Sequence, residues 1–308
     1  MHYRTLGHTG MTVSVIGIGT WQFGGEWGKT FDPALVNEMF DACRQAGINL
    51  IDTAECYGDH TSEALIGQAI QRDRDHWIVA TKFGHKFHGF LDRTTDYSAA
   101  GMVAQLEASL RALRTDWIDL YQVHGVSQET FEDDDLWTAL DKQKQLGKIR
   151  AIGVSIKHDT MPLGRSQVET VQVIHNRLNR GAEDTVFPIC QERGLGVLAR
   201  VPLASGYLSG KYQPGQRWHK GDVRYRYGAE EIDQQLQEVA RIQAEEVPDG
   251  VNMATWALSW CLRHPAVTAV IPGCKSVAQV QTNAAAADLD IQQETHPQAS
   301  EAPEKLPG

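Results

Sequence analysis

Short apolar runs alternate with amphipathic stretches along almost the whole chain. The apolar runs have the length of strands buried on both faces and cover residues 14–18, 49–52, 77–82, 118–124, 149–155, 171–175, 196–201 and 269–272. Between them, apolar residues recur at helical spacing, which predicts helices at 33–45, 62–70, 98–113, 134–146, 184–192, 231–245 and 252–263. This alternation predicts a parallel sheet covered by helices.

Eight strands of this kind are the number that closes a (β/α)8 barrel, the TIM-barrel fold. We expect residues 1–289 to form such a barrel as one domain. An open, doubly wound sheet uses the same alternation and is the competing fold. The segment from Arg4 to Val13 carries a Thr9-Gly10 turn, which predicts a β-hairpin at the bottom of the barrel.

Two segments depart from the alternation. Residues 204–228 are too long for a simple strand-to-helix loop and combine aromatic with basic side chains from Arg217 to Tyr227. Long ordered loops on such scaffolds usually cover a ligand, so we predict a loop that faces a cofactor or a substrate rather than RNA. Residues 290–308 are rich in Gln, Glu, Pro and Ala, which predicts a disordered tail.

The 308 residues include 29 basic and 39 acidic side chains, giving a formal net charge of -10. Without a dense Lys/Arg run, this balance argues against nucleic-acid binding, and an anionic ligand would need a local basic pocket. Mean hydropathy is -0.36 and no apolar run reaches about 18 residues, which argues against a membrane span. The N-terminus shows no secretory signal, and five cysteines without a Cys-x-x-Cys motif predict reduced thiols in a cytoplasmic protein.

Two histidines invite a metal interpretation. His85 and His88 have the spacing of metal ligands, but the sequence shows no carboxylate or thiol partner nearby. We therefore expect no metal site and place both histidines in a substrate-facing loop. Cys56, beside Tyr57, is expected to be a packed thiol, with sensitivity to oxidation as the alternative.

Titratable side chains fall where consecutive predicted strands end. Asp52, Lys82 and His124 end the second, third and fourth strands, and Tyr57 lies in the loop after Asp52. In a (β/α)8 barrel the active site occupies the C-terminal ends of the strands. A lone Asp or Lys at such an end is more often a buried ion pair than a catalyst. The joint placement of four different groups favours a catalytic site.

These four groups form a coherent proton-donating set. A phenol titrates near pH ~10, and an adjacent ammonium on Lys82 is expected to lower the pKa of Tyr57 and make proton donation feasible. Asp52 would keep Lys82 charged, and His124 would hydrogen-bond a substrate carbonyl. No side chain donates hydride, so reduction of that carbonyl requires a nicotinamide cofactor.

The segment Asn49-Leu-Ile-Asp-Thr-Ala-Glu-Cys-Tyr-Gly resembles the signature of the aldo-keto reductases around their catalytic Asp and Tyr. Further matching motifs begin at Ala80, Trp117, Gly147, Pro202 and Val270, in family order over nearly the whole chain. The resemblance implies a single (β/α)8 barrel that reduces aldehydes or ketones with NADPH, with Asp52, Tyr57, Lys82 and His124 as its tetrad.

The same resemblance implies a set of cofactor-binding positions. Ser155 and Gln172 would hold the nicotinamide carboxamide, and His175 stands where an aromatic residue commonly stacks on the ring. The loop across the pyrophosphate matches Leu203, Ser205, Leu208 and Lys211. Arg200 departs from the family, in which many members have a small or neutral residue there, and its charge would allow it to pair with a phosphate. Gly273, Lys275, Ser276, Gln279 and Asn283 match the adenosine end. There Lys275 would pair with the 2′-phosphate, and the first amides of the last helix would face it. Ile156 departs from the family, which often has Asn there.

Three alternatives remain for function. The tetrad transfers hydride in both directions, so a sugar or alcohol dehydrogenase is one. A resemblance to potassium-channel β subunits allows a protein that senses NADP(H) with incidental turnover. A Schiff-base lyase using Lys82 is the third, although a partner such as Asp52 would keep that lysine protonated. In the leading interpretation the partner is a small-molecule carbonyl substrate.

Overall fold

The computed structural model describes residues 1–125, 127–156 and 163–289, together with the backbone of Ala299–Ser300. Its strands are β1 (Tyr3–Thr5), β2 (Thr12–Ser14), β3 (Ile18–Gly19), β4 (Leu50–Asp52), β5 (Ile78–Phe83), β6 (His85–Gly89), β7 (Asp92–Thr95), β8 (Ile118–His124), β9 (Ile149–Ser155), β10 (Thr170–Ile174), β11 (Gly196–Arg200), β12 (Ala269–Val270) and β13 (Ala299–Ser300). Its α-helices are α1 (Pro33–Ala46), α2 (Thr61–Ile70), α3 (Ala99–Leu113), α4 (Gln128–Glu132), α5 (Asp134–Gln145), α6 (Val186–Arg193), α7 (Ala229–Glu245), α8 (Met253–Leu262) and α9 (Val277–Ala284).

Eight of these strands form one parallel sheet in the order β3-β4-β5-β8-β9-β10-β11-β12. The two ends of the sheet meet, because Ile16 bridges Val270 and Gly19 bridges Gly273 in parallel register. The amide of Gly17 donates to the carbonyl of Val270 at 2.8 Å. The sheet is therefore a closed barrel, which confirms the (β/α)8 prediction against the open sheet.

The predicted hairpin closes the bottom of the barrel. Strands β1 and β2 pair antiparallel, and Leu6 and Val13 are fully buried against the inward-facing Leu50, Leu120 and Leu198. The approach leaves no room for a side chain, since a Cβ on Gly7 would lie 2.2 Å from the backbone nitrogen of Gly196. The hairpin therefore packs tightly against the barrel core.

The outer helices follow from their apolar spacing and their end signals. In α1, Asp32 caps the N-terminus by accepting from the amide of Leu35 at 2.9 Å, and Gly47 ends the helix in the left-handed conformation. Its buried face, Val36, Met39, Phe40 and Cys43, recurs at helical spacing and packs on the barrel. Similar packing surrounds the sheet and leaves the C-terminal ends of the strands open.

Three parts of the described chain differ most from the predicted elements, the first being the short helix α4 (Gln128–Glu132), where no helix was predicted. A polar antiparallel hairpin, β6–β7, follows β5, where only a loop was expected. Residues 204–228 contain two short 3-10 turns, Ala204–Ser209 and Val223–Arg226, within the predicted long loop. The remaining boundaries move by a few residues at most, as helix ends commonly do.

At the C-terminal end, the backbone of Ala299–Ser300 pairs antiparallel with β1. The rest of the predicted tail, from residue 290 onward, lies outside the described residues. Among the helices described, none has the length and apolar character to cross a membrane.

Candidate active site

A cavity of about 690 Å³ opens at the C-terminal ends of the barrel strands. Asp52, Tyr57 and His124 line it, and Lys82 lies fully buried just beneath. The structure thus brings together the four side chains that the sequence predicts as a tetrad. Three of them are placed by strands, Asp52 by β4, Lys82 by β5 and His124 by β8.

The loop after β4 positions Tyr57. Gly58 follows it with a φ of 67° and packs so closely on Gly24 that an added Cβ would lie 2.7 Å from the Gly24 carbonyl oxygen. The ring of Trp21 stacks on the Tyr57 ring at a centroid distance of 6.1 Å. The phenol is therefore clamped between the loop after β3 and the barrel mouth.

Lys82 is held by three oxygen acceptors. Its Nζ lies 2.9 and 2.8 Å from the two carboxylate oxygens of Asp52 and donates to the carbonyl of Thr53 at 2.6 Å. Burial is the largest single influence and lowers the pKa of Lys82, but the charge and hydrogen bonds of Asp52, together with Tyr57 and Cys56, raise it, so the net pKa lies above its ordinary value. The ammonium is therefore charged, and its Nζ is 3.5 Å from the hydroxyl of Tyr57.

The titration of Tyr57 differs from the sequence prediction. Burial raises the pKa of the phenol, the charge of Lys82 lowers it, and the net pKa stays above the ordinary value. The expected lowering by Lys82 is thus present but outweighed, because desolvation penalises the phenolate. At neutral pH the phenol carries its proton.

His124 ends β8 and is held from its backbone side, because the hydroxyl of Tyr97 donates to the His124 carbonyl at 2.6 Å. Its ring meets the Tyr57 ring edge-on at a centroid distance of 6.3 Å. The imidazole and the phenol thus border the same part of the cavity.

Two amide-bearing residues extend the hydrogen-bond network. Gln172 donates from Nε2 to Oδ1 of Asp52 at 2.6 Å, and its Oε1 accepts from the hydroxyl of Ser155 at 3.3 Å. Both side chains line the cavity. The residues predicted for the cofactor amide therefore border the tetrad directly.

Most other predicted cofactor positions also line this cavity. They are Arg200, Leu203, Ser205, Lys211, Gly273, Lys275, Gln279 and Asn283. The backbone after β11 turns sharply here, with positive φ at Val201, Ala204 and Ser205. Strain of this kind at non-glycine residues collects at ligand sites.

His175 is not at the cavity, which corrects its predicted position on the nicotinamide ring. The side chain is fully buried and stacks on Trp260 at 5.3 Å, with Phe187 at 5.0 Å. Burial lowers the pKa of His175 to about 4, so the ring is neutral. Strand alternation explains the error, because Gln172 faces the barrel interior and a residue three positions later faces outward.

Leu208 and Ser276 also lie away from the cavity lining. Leu208 is fully buried among apolar side chains of α7 and α8. Ser276 caps α9, its hydroxyl accepting from the amide of Gln279 at 3.3 Å. That bond uses one of the helix amides that were predicted to face a phosphate.

The sequence prediction missed the pairing of two loops at the cavity edge. Arg224 forms a bidentate ion pair with Asp222, and its guanidinium lies 4.4 Å from the Trp218 ring and 5.3 Å from the Trp27 ring. Nζ of Lys275 donates to the carbonyl of Trp27 at 2.8 Å. The aromatic and basic composition of residues 217–227 was the available signal, and Arg224 and Arg226 line the cavity as that interpretation expects.

Comparison with known proteins agrees with this geometry. The model of the Aldo/keto reductase family matches residues 15–303. An L-galactose dehydrogenase from Arabidopsis thaliana is 30% identical over an alignment of 308 residues, covering 95% of this chain and 91% of that protein. An NADH-specific methylglyoxal reductase from Escherichia coli is 30% identical over 312 residues, covering 93% of each. The holo form of an aldo-keto reductase from Bacillus halodurans superposes with a TM-score of 0.80 at 31% identity, covering 96% of this chain and 94% of that one. The chain therefore belongs to the aldo/keto reductase family of oxidoreductases.

Proposed function

We propose that this protein is an NADPH-dependent carbonyl reductase that converts aldehydes or ketones to alcohols. The observation that carries the proposal is the Tyr57 hydroxyl, protonated at neutral pH and 3.5 Å from the charged Lys82 at the cavity floor. A buried phenol beside a fixed ammonium is suited to give its proton to a developing alkoxide.

Each tetrad residue has a distinct task in this proposal. Tyr57 donates the proton, and the ammonium of Lys82 stabilises the phenolate that remains. Asp52 keeps Lys82 charged and fixed, because an unpaired buried ammonium is costly. His124 orients the carbonyl by a hydrogen bond from its imidazole.

The cavity suits a large anionic cofactor. Its volume is about 690 Å³, and Arg200, Lys211, Arg224 and Lys275 line it although the chain as a whole has a net charge of -10. Ser155, Gln172 and Asn283 would bind amide groups, and the four cations would bind phosphates. When bound, NADPH supplies the hydride that no side chain provides.

The preference for NADPH over NADH rests on Lys275. This ammonium lines the cavity and lies 5.4 Å from the centre of the Trp27 ring. A cation there would bind the extra 2′-phosphate of NADPH. Because one relative is named as NADH-specific, NADH is the cofactor against which NADPH binding should be compared.

The protonated state of Tyr57 supports reduction as the direction in which the enzyme is ready to act at neutral pH. Reduction begins from the protonated phenol, which predominates at neutral pH because burial raises its pKa. Oxidation of an alcohol begins from the phenolate. The relative named as an L-galactose dehydrogenase makes oxidation of a sugar the second candidate, and alkaline conditions favour it.

The proposal treats residues 1–289 as one domain that acts in the cytoplasm. The barrel wall runs from β3 to β12, and its cavity is lined by residues from Gly19 to Asn283. All five cysteines are buried free thiols, in keeping with a reducing compartment.

The test combines binding and turnover. NADPH and NADH are titrated by tryptophan fluorescence, and each is then offered with a panel of aldehydes, ketones and aldoses. We expect tight NADPH binding and oxidation of NADPH by at least one carbonyl compound. Tight binding with no turnover across the panel would favour NADP(H) sensing instead.

A further inference from the structure

At the edge of the tetrad, four side chains, including His124 of the tetrad itself, bring metal-ligating atoms together. Glu55, Cys56, His85 and His124 each offer one such atom, and these atoms all lie within 4.8 Å of one another. Nδ1 of His124 is 3.8 Å from Sγ of Cys56 and 3.9 Å from Oε2 of Glu55. Nδ1 of His85 is 3.9 Å from Oε1 of Glu55.

Three separate elements hold this cluster in place. The loop after β4 carries Glu55 and Cys56, β8 ends at His124, and β6 begins at His85. Oε1 of Glu55 accepts from the backbone amide of His85 at 2.9 Å, which ties the hairpin to that loop. The carboxylate needed for a metal site, which the sequence did not reveal near His85, is thus supplied by the fold.

Glu55 is a buried carboxylate that takes no part in the proposed proton transfer. The residue is 2% exposed, and its Oε2 makes no hydrogen bond to any described residue while facing His124. A buried carboxylate oxygen without a hydrogen bond is costly, and a cation bound beside it would offset that cost.

The donor set favours a particular class of ion. One thiolate, two imidazoles and one carboxylate suit zinc, whereas Mg²⁺ and Ca²⁺ prefer oxygen ligands alone. Zinc bonds of about 2.0–2.3 Å place tetrahedral ligands about 3.5 Å apart. Three of the observed separations are 3.8–3.9 Å and none exceeds 4.8 Å, so the ligand atoms must close by a few tenths of an ångström in some pairs and by up to about 1.3 Å in others.

We propose that Glu55, Cys56, His85 and His124 form a site for one zinc-class divalent ion, and that this ion reversibly inhibits carbonyl reduction. On binding, the Cys56 thiol loses its proton to solvent and its thiolate ligates the ion. The oxidation state of the ion and of the protein is unchanged. Because His124 belongs to both sets, an imidazole held by the ion is withdrawn from its position beside Tyr57. The inhibition rests on the proposed reductase function, whereas the binding does not.

Binding is tested on the full-length protein without any substrate. Co²⁺ is titrated while the absorption of thiolate-ligated tetrahedral cobalt is followed, and Zn²⁺ is titrated by calorimetry. We expect one equivalent of each ion to bind and Zn²⁺ to displace Co²⁺ with loss of the absorption. Absence of the thiolate–cobalt band, or of stoichiometric binding, would refute the site.

Variants separate this cluster from adventitious binding. Glu55→Gln retains an acceptor for the His85 amide, and Cys56→Ser keeps a similar volume, so either variant reports on ligation if the other misfolds. Each should weaken Zn²⁺ binding by more than about 100-fold, since loss of even an outer partner costs about 10–100-fold. The controls Cys190→Ala, a buried thiol in α6, and His88→Ala, an exposed histidine in β6, should bind as the parent does. Equal affinity in all four variants would overturn the proposal.

Inhibition is measured as the rate with Zn²⁺ relative to the metal-free rate of the same variant. We expect near-complete loss in the parent, recovery on adding EDTA, and little loss in Glu55→Gln. Full turnover at saturating Zn²⁺ would overturn the inhibitory role. A protein that turns over no carbonyl but shows the cobalt band would contradict the reductase function and support the metal site.

Discussion

Gln172 donates a 2.6 Å hydrogen bond from its side-chain amide to Oδ1 of Asp52, across the barrel from β10 to β4. The other strong partner of that carboxylate is the ammonium of Lys82, at 2.8 Å. Asp52 therefore joins the amide side of the cavity to the pair that acts on Tyr57. Proton donation and cofactor binding, as proposed, depend on one hydrogen-bonded network.

Replacing Tyr57 with Phe removes the hydroxyl group that is proposed to donate the proton and keeps the aromatic ring. We expect kcat to fall by about 10²–10⁴-fold, as for loss of a general acid, while NADPH binding stays within a few-fold. Steady-state rates and fluorescence titration check both parts. Tyr225→Phe, which alters an exposed phenol on the long loop, is the matched control. Normal turnover in Tyr57→Phe would assign the proton to another group.

The two reaction directions should respond oppositely to pH. Reduction needs the protonated phenol, whose pKa is raised by burial, so its kcat/KM should stay flat through neutral pH and fall only above about pH 10. Oxidation needs the phenolate and should rise about tenfold per pH unit below that pKa. Initial rates in both directions over a pH series check this. A fall in reduction centred near neutral pH would contradict the role of Tyr57.

Removing one member of the Asp52–Lys82 ion pair should lower the free energy of unfolding more than removing both charges. Both side chains are almost fully buried, so Asp52→Ala leaves an ammonium without its counter-charge and should destabilise the fold by about 3–5 kcal/mol. The double variant Asp52→Ala with Lys82→Met removes that charge and should recover part of the loss. Denaturant unfolding gives the free energies of unfolding. A double variant less stable than Asp52→Ala would show that the charge is not the cause.

Lys275 should discriminate between the two nicotinamide cofactors. Lys275→Met should weaken NADPH binding by about 10–100-fold, the loss expected for a charge-assisted contact, and NADH binding much less. Lys220→Met, an exposed lysine of the long loop, serves as the control. Kd values from fluorescence titration decide the matter, and equal losses for both cofactors would refute the 2′-phosphate contact.

Two glycines of the N-terminal segment should respond differently to alanine. Gly7 and Gly10 both have positive φ, but a Cβ at Gly7 meets backbone atoms at 2.2–2.9 Å, whereas none lies within 4 Å at Gly10. Gly10→Ala should cost only the backbone strain, about 1 kcal/mol. Gly7→Ala should cost several times as much by lifting the hairpin off the barrel. Thermal unfolding compares them, and equal Tm values would show that the hairpin does not seal the core.

The convergence of the tetrad side chains on one cavity was predictable because consecutive strand ends converge in any closed parallel barrel. Asp52, Lys82 and His124 needed only the strand assignment, and the loop motif supplied Tyr57. The misplaced His175 shows the limit of a matched motif. His175 does occupy the matching position in the sequence, three residues after Gln172. Because side chains alternate along a strand, counting from Gln172 would have placed His175 on the outer face of the barrel.

The cluster around Glu55 was not predictable in the same way. Its members come from a loop, a polar hairpin and a strand end, and β6–β7 has the short, charged composition of a surface loop. Nothing in the spacing from His85 to His88 indicates that His85 turns toward Cys56 while His88 bonds Thr94 on the surface. Contacts of this kind depend on the tertiary arrangement of segments that are far apart in sequence.

The β-bridge between Ile16 and Val270 means that the barrel closes only late in synthesis of the chain. All eight barrel strands lie between these two residues in the sequence. One edge of β3 therefore stays unpaired during synthesis until β12 has emerged from the ribosome. Lys275 emerges immediately after β12. A nascent chain therefore gains its closed wall and the cation proposed to hold the 2′-phosphate at almost the same moment of synthesis.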